Sequence, residues 1–392
     1  MRIGELDKYL FNAYKAGDII GKGKQTVLVL GPPGIGKSTT FEEVGRRIAK
    51  SMGKEFVDYS DDKADQILAE PSKYFVFVDF RLTECEPSDL MGIPFRVDGS
   101  VKYAPLLWAK CLSLCSGMLV LDEVTKRIKQ FTLVNIQRLD VVTAAYKLVF
   151  DKKSGFTKFN DDVFVVCAGN RPEQSSVANM LPTPLIGRML VVDTDAATVD
   201  EWMQWMNTVY DDNWDKRSYA FLKGLYPKKR FEDENYILKI PKTSETLDPF
   251  AQHRTWTSLS VMMNRGMMDR TTIVGLVGSE IGIKFEGFLK TDVDLDELIQ
   301  VPSGFHSLEF DARYMVSVML ATWLTKHIKD VSKAFGLLDT MFVAKHEFVV
   351  LVCLCMSKFN AAPLLKQLFD HDPQYKDVLT EISIGIKDQI TA

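Results

Sequence analysis

The segment that most constrains the fold of this chain is GPPGIGKS at residues 31–38, which matches the pattern G-x-x-x-x-G-K-[ST] at every fixed position. The apolar run at residues 26–30 precedes it, and the helix-prone residues 39–50 follow it. A strand, a glycine-rich turn and a helix in this order point backbone N–H groups at phosphate oxygens. The segment therefore predicts a site for a nucleoside triphosphate.

Two side chains of this loop have predicted roles in holding the nucleotide. Lys37 places a positive charge beside the β- and γ-phosphates, and the Ser38 hydroxyl ligates Mg²⁺. The predicted nucleotide contacts in this segment are Gly31, Pro33, Gly34, Ile35, Gly36, Lys37, Ser38 and Thr39.

Composition narrows the class of protein. The chain has 392 residues, 46% hydrophobic and 26% charged, so it can form a sizeable core and two or three domains. Its net charge of −4 gives no support to a protein that coats a polyanion, although it leaves room for a local basic patch. The six cysteines form no C-x-x-C pair and the five histidines have no zinc spacing, so we expect reduced, buried thiols and no zinc site.

No targeting or membrane-spanning segment is predicted. The N-terminus lacks the apolar core of a signal peptide. The longest uncharged apolar stretches, such as residues 111–121, are shorter than the roughly 20 residues that a membrane helix needs. We therefore expect no membrane span and a cytoplasmic location.

Apolar runs in the first half of the chain predict a sheet. They are rich in Val, Leu and Phe without alternation, as expected for strands that are buried on both faces. Helical segments lie between them, which indicates an α/β fold with a parallel sheet flanked by helices and with ligands at the carboxyl ends of the strands. The runs are residues 26–30, 74–80, 118–121, 163–168 and 189–192.

The pattern changes near residue 196, and a helical region of comparable length follows the predicted sheet. Residues 211–247 are charged, aromatic and turn-rich, with Pro227 and Pro241 as breakers. The predicted helical segments are residues 199–206, 256–264, 271–289, 311–335, 347–359 and 363–391.

Two acids end the third apolar run and form a Walker B pattern. Asp122 and Glu123 follow four large apolar residues. Asp122 is predicted to hold Mg²⁺ together with Ser38, and Glu123 is predicted to polarise the attacking water. A strand that merely ends in a polar turn is the alternative, but two acids downstream of a phosphate loop favour the catalytic interpretation.

Three further polar side chains are candidates for the same site. Asn170 ends the fourth run, where an amide can orient the water or contact the γ-phosphate. Arg188 precedes the last run, from which an arginine can reach a phosphate bound to a neighbouring subunit. Arg254 opens a helix of the second region and can reach the nucleotide from a lid. For each arginine, an ordinary surface position is an equal alternative.

These elements together resemble an AAA+ ATPase. The chain lacks the N-K-x-D motif of a GTPase, and a small-molecule kinase has no need of the Asp-Glu pair. Within AAA+ proteins the chain is similar to the MoxR-like family over residues 10–300. The matching segments are FRLTE at 80–84, DLMGIP at 89–94, AGNRPE at 168–173, LPTPL at 181–185 with Arg188, RTW at 254–256 and GLVGSE at 275–280.

The resemblance implies an architecture and residue roles. It implies an ATP-binding α/β domain at residues 1–207 and a linker and helical lid at 208–300. A helical extension at 301–392 is predicted beyond the resemblance. Subunits would form a ring, usually hexameric, with ATP and Mg²⁺ between them. Asn170 matches the sensor-1 position, Arg188 the arginine finger and Arg254 the sensor-2 arginine.

The family also carries two hairpins that often face the ring pore and touch the client. Residues 92–103, turning at Asp98-Gly99, fit the first, and residues 146–159, turning near Ser154-Gly155, fit the second. Plain surface hairpins are the alternative. The chain departs from the family at VTKR, residues 124–127, where Asn-Arg is usual, and at AQH, residues 251–253, where proline is common.

Three functions are compatible with the sequence. The first is a ring ATPase that remodels or matures a protein client, for which the resemblance implies a von Willebrand A-type partner. The second is a nucleic-acid motor or loader, which the negative net charge disfavours. The third is a nucleotide-gated scaffold, which the full catalytic set disfavours. Residues 19–20 are the candidate segment for the adenine pocket. Basic residues of the hairpins leave some room for nucleic acid: Arg96, Lys102, Lys152, Lys153 and Lys158.

Overall fold

The chain divides into two compact units, Met1–Ala197 and Thr198–Ala392. The predicted division into a lid and a C-terminal extension stays a prediction. The computed structural model describes residues 1–17, 23–98, 100–125, 139–171, 183–225, 237–239, 248–291, 293–327, 330–356 and 358–375.

The first unit contains a six-stranded parallel sheet in the order β10-β1-β9-β6-β3-β2. Two short antiparallel hairpins, β4-β5 and β7-β8, lie outside this sheet. The strands are β1 (Val27–Leu30), β2 (Glu55–Asp58), β3 (Tyr74–Arg81), β4 (Pro94–Val97), β5 (Ser100–Tyr103), β6 (Ser116–Asp122), β7 (Lys153–Ser154), β8 (Thr157–Lys158), β9 (Val163–Gly169) and β10 (Leu190–Asp193).

Burial explains why the apolar runs form the sheet centre. Every residue of β9 is buried, and β6 is buried up to Leu121. All five predicted runs are strands, and the predicted fold class, a parallel sheet flanked by helices and followed by a helical region, is confirmed. Strand β2 was not predicted, because this edge strand pairs with β3 on one side and exposes Glu55 and Asp58.

Helices flank the sheet of the first unit. The helix after the phosphate loop, α2, packs against α1, where Arg47 Nη1 lies 2.5 Å from Asp7 Oδ2 and the guanidinium lies over the Phe11 ring. The helices are α1 (Ile3–Lys15), α2 (Lys37–Ser51), α3 (Ala64–Ala69), α4 (Pro87–Met91), α5 (Leu107–Leu114), α6 (Leu139–Phe150) and α7 (Thr183–Ile186).

The predicted hairpins differ in outcome. The first is confirmed by the pairing of β4 with β5, and Gly99 of its turn lies outside the described residues. The second is wrong over residues 146–150, which form the end of α6. Ala145, Leu148 and Val149 are buried there, and a spacing of three to four residues is helical. Only β7 and β8, with two residues each, form the hairpin.

The second unit is helical in its described part. Residues 217–225, expected to be turn-rich, form a helix because Tyr219, Phe221 and Leu222 are buried in the core of this unit. The helices are α8 (Val199–Val209), α9 (Arg217–Leu225), α10 (His253–Asn264), α11 (Arg270–Val277), α12 (Ser279–Leu289), α13 (Leu295–Gln300), α14 (Phe310–Lys326), α15 (Phe335–Ala344), α16 (Glu347–Cys355) and α17 (Lys358–His371).

Within the described residues, no helix combines the length and the apolar character that a membrane crossing demands.

Candidate functional site

The phosphate loop lies between β1 and α2, as predicted. Gly36 has a φ of 98°, a conformation that side-chain-bearing residues rarely adopt, and it directly precedes the first turn of α2. Gly31 is also constrained, since a Cβ there would lie 2.6 Å from the Thr194 carbonyl oxygen. The loop therefore needs glycine at both positions, and the N-terminus of α2 is a helix start of the kind that binds phosphate through its backbone N–H groups.

Lys37 is buried and folded back over the loop. Its Nζ donates to the carbonyl oxygens of Gly31 at 2.9 Å and Pro32 at 2.8 Å, and to Asn170 Oδ1 at 3.1 Å. Asn170 follows β9, which is the neighbour of β1 in the sheet. The structure thus brings the predicted sensor amide to the lysine of the phosphate loop.

Ser38 and Asp122 meet at the same edge of the sheet. The Ser38 hydroxyl donates to Asp122 Oδ2 at 3.0 Å, and the Glu123 N–H donates to Asp122 Oδ1 at 2.7 Å. A hydroxyl and a carboxylate are the hard oxygen ligands that Mg²⁺ prefers. These two side chains therefore fit the metal ligands that the sequence predicts.

Glu123 is held in an uncommon backbone conformation, with a φ of 61°. Its Oε2 accepts a hydrogen bond of 2.5 Å from the Thr83 hydroxyl. Thr83 follows β3, and the Leu82 N–H donates to the Asp122 carbonyl oxygen, so the two strand ends are aligned. This role of Thr83 was not predicted, although Thr83 is a polar residue that follows an apolar strand.

Asp79 adds a further carboxylate beside this edge. Desolvation and, to a smaller extent, the neighbouring Asp122 carboxylate raise the pKa of Asp79 to about 6, while the Arg81 guanidinium opposes the rise. Neighbouring carboxylates repel each other, and a bound divalent cation would offset this repulsion.

Arg171 forms an ion pair that joins the ends of two strands beside the phosphate loop. Its Nε and Nη2 lie 2.6 and 2.5 Å from the two carboxylate oxygens of Asp193. Arg171 follows β9 and Asp193 ends β10, and both strands are neighbours of β1. This bidentate pair was not predicted, because nothing in the sequence shows that the two strands flank the same partner.

Arg188 lies at the amino ends of the strands, whereas the phosphate loop lies at their carboxyl ends. It precedes β10, whose first residue Leu190 is in register with Val27 at the start of β1. A strand of four residues, about 13 Å long, separates it from the loop. Its guanidinium lies 4.5 Å from the centre of the Phe150 ring. The structure does not bring Arg188 to the phosphate loop of its own chain.

Arg254 lies in the first turn of α10, in the second unit, with an exposed side chain. Gln252 is the N-cap of α10, and its backbone N–H donates to the Thr255 hydroxyl. The helix thus begins without the proline that is common in the resembling family. The residues guessed to contact adenine, 19–20, and the basic pair 126–127 lie outside the described residues.

No family model and no curated protein matches this chain. Among solved structures it is similar to a candidate ATPase from Cytophaga hutchinsonii ATCC 33406, with 17% identity over 54% of this chain and 52% of that chain and a TM-score of 0.31. The Aeropyrum pernix ORC1 protein in complex with DNA has 13% identity over 82% and 72%, and a TM-score of 0.38.

The Aeropyrum pernix ORC2 protein, solved as ADPNP-ADP complexes, has 12% identity over 83% of this chain and 75% of that chain, and a TM-score of 0.35. At these identities and TM-scores the likenesses carry no argument about function.

Proposed function

We propose that this chain is an AAA+ ATPase that hydrolyses ATP to ADP and phosphate. The observation that carries the proposal is the convergence of Lys37, Ser38, Asp122, Glu123 and Asn170 at the carboxyl edge of one parallel sheet. A phosphate loop, a hydroxyl–carboxylate pair, a general base and a positioned amide are the groups that hydrolysis of a phosphoanhydride requires.

Each group has a task in the proposed reaction. The loop N–H groups and Lys37 bind the β- and γ-phosphates. To do so, Lys37 must release the loop carbonyl oxygens and donate to phosphate oxygens instead. Glu123 accepts a proton from the attacking water while the water oxygen bonds to the γ-phosphorus and the bond to the β–γ bridging oxygen breaks. Asn170 orients the water or the γ-phosphate. Bound Mg²⁺ would neutralise the charge that develops on the phosphate oxygens.

The proposed assembly is a homo-oligomeric ring, with a hexamer as the expected form. Its support is the position of Arg188 at the amino edge of β10, from which the residue can stabilise transition-state charge only on a nucleotide held by another subunit. Arg254 is the proposed lid contact to the nucleotide.

The proposed task of the ring is MoxR-like remodelling or maturation of a protein client in the cytoplasm, with a von Willebrand A-type protein as a candidate partner. Its support on the surface is an aromatic contact between the two hairpins, where the Tyr103 and Phe156 rings lie 5.5 Å apart and Phe156 is 80% exposed. Exposed aromatic side chains suit contact with a polypeptide.

The test is ATP hydrolysis against protein concentration, with mass measured in parallel with and without ATP and Mg²⁺. Specific activity should rise as the ring assembles. The same assay is applied to Arg188→Ala, which should lose hydrolysis. Its matched control is Arg46→Ala, since Arg46 is also exposed and its guanidinium lies over an aromatic ring. Concentration-independent turnover by a monomer would contradict both the proposed ring and the proposed role of Arg188.

The nucleic-acid alternative is separated by a salt titration. A DNA or RNA motor would bind nucleic acid at low salt, lose affinity steeply as salt rises, and show stimulated hydrolysis. We expect neither binding nor stimulation.

A further inference from the structure

Thr125 is a buried hydroxyl residue just after the two acids of β6. Its Oγ1 accepts a hydrogen bond of 2.8 Å from the backbone N–H of Asn170, and only 4% of the residue is exposed. Asn170 is the residue whose Oδ1 lies 3.1 Å from Lys37 Nζ. A single hydroxyl thus fixes the backbone from which the sensor amide projects.

Thr125 also sets how closely the two strand ends approach. A Cβ on Gly169 would lie 2.6 Å from Thr125 Cγ2 and 2.8 Å from its Oγ1, so the side chain lies directly on the glycine backbone. The Val124 N–H donates to the Ala168 carbonyl oxygen at 3.0 Å. The chain that follows Glu123 therefore continues to pair with the end of β9 beyond the last residue of β6.

We propose that Thr125 is a positioning residue that sets the Asn170 amide relative to Glu123 and to the γ-phosphate. Thr125 is two residues from Glu123 in the chain and accepts a hydrogen bond directly from Asn170, so it links the base and the amide. This inference rests on the proposed ATPase function. It also gives a role to the VTKR departure from the family pattern, of which Thr125 is the second residue.

Two substitutions separate the hydroxyl from the packing. Thr125→Val keeps the branched shape but leaves the buried Asn170 N–H without its acceptor. Thr125→Ser keeps the acceptor but loses the methyl group that lies on Gly169. A positioning role requires the hydroxyl, whereas a packing role requires the methyl group.

The experiment uses the full chain and measures kcat and KM for ATP, together with the Kd values of ADP and a non-hydrolysable ATP analogue. We expect Thr125→Val to lower kcat by roughly 10- to 100-fold, with ADP affinity unchanged and a reduced preference for the analogue over ADP. Asn170→Ala should show the same loss of preference. Thr125→Ser should retain wild-type kcat.

Three results would overturn the inference. They are wild-type kcat in Thr125→Val, equal losses in the Val and Ser variants, and a parallel fall in ADP and analogue affinity. If Thr125→Val does not fold, Thr125→Cys, which retains only a weak sulfur acceptor, should lose kcat and analogue preference, and wild-type behaviour there would equally overturn the inference. If the wild type itself does not turn over, the proposed function fails, while the analogue preference still tests Thr125.

Discussion

At the scale of single residues, Glu123 is the side chain on which the proposed ATP hydrolysis depends most directly. Glu123→Gln retains the size and hydrogen-bonding reach of the side chain but cannot accept the proton from water. We expect ATP binding to be retained and kcat to fall by about 10²- to 10⁴-fold, as measured by phosphate release and nucleotide titration. The control is Glu84→Gln, since Glu84 is an exposed carboxylate in the same region. Full turnover by Glu123→Gln would remove Glu123 from the reaction.

Lys152 is a buried lysine whose titration is expected to change the stability of the fold. Burial lowers the pKa of Lys152 from 10.5 to about 7, and its Nζ bonds to the Thr26 hydroxyl. Between about pH 7 and 10.5 the unfolded chain binds this proton more tightly than the folded chain, so the free energy of unfolding rises with pH.

Lys152→Met should flatten this rise, because methionine is of similar length and does not titrate. We expect the wild type to gain on the order of a few kcal/mol over this range relative to the variant, as measured by denaturant unfolding at several pH values. Lys153→Met is the control, since Lys153 is the exposed neighbour. If the free energy of unfolding has the same pH slope in wild type and Lys152→Met, the pKa of Lys152 is not lowered by burial.

At the scale of elements, the β7-β8 hairpin is fitted closely against α4. The Ser154 hydroxyl donates to the Leu90 carbonyl oxygen at 2.7 Å. A Cβ on Gly155, whose φ is 56°, would lie 2.5 Å from the Met91 carbonyl oxygen. The hairpin therefore cannot accept a side chain at this turn without moving away from α4.

Gly155→Ala should lower the melting temperature, since it adds backbone strain and a contact with the main chain of α4. The matched control is Gly275→Ala, because Gly275 lies within α11 and a Cβ there would meet nothing within 4 Å. Removing a helical glycine should stabilise the protein by roughly 0.5–1 kcal/mol. Thermal unfolding of the two variants should therefore shift in opposite directions, and equal shifts would contradict the fit of the hairpin.

The elements also show what the sequence could and could not predict. Uniformly apolar runs identified the central strands, because strands buried on both faces need no polar positions. The edge strand β2 was not predicted, since its two apolar residues stand between the polar residues Glu55 and Asp58 and form no apolar run. The hydrogen bonds from Thr83 to Glu123 and from Asn170 to Thr125 join strand ends far apart in the chain. Such contacts depend on strand order, which apolar patterns alone do not specify.

At the scale of the whole molecule, the proposed ring would make the active site a shared one, with Arg188 acting on the nucleotide of a neighbouring subunit. A chain carrying Arg188→Ala retains its own phosphate loop and Glu123 but cannot complete the site of its neighbour. A chain carrying Glu123→Gln supplies Arg188 but has no base of its own. Each variant alone should therefore be nearly inactive.

Mixing the two inactive variants should restore hydrolysis, because an Arg188→Ala subunit beside a Glu123→Gln subunit has both groups at one interface. In a randomly mixed ring at equal amounts, about one quarter of the interfaces are of this kind. Phosphate release should therefore recover to about a quarter of the wild-type rate once subunits have exchanged. The control mixes Arg188→Ala with Lys37→Ala,Glu123→Gln, whose Arg188 is intact and which should restore activity equally. A mixture that stays inactive although mass measurements show mixed rings would mean that Arg188 does not act on a neighbouring site.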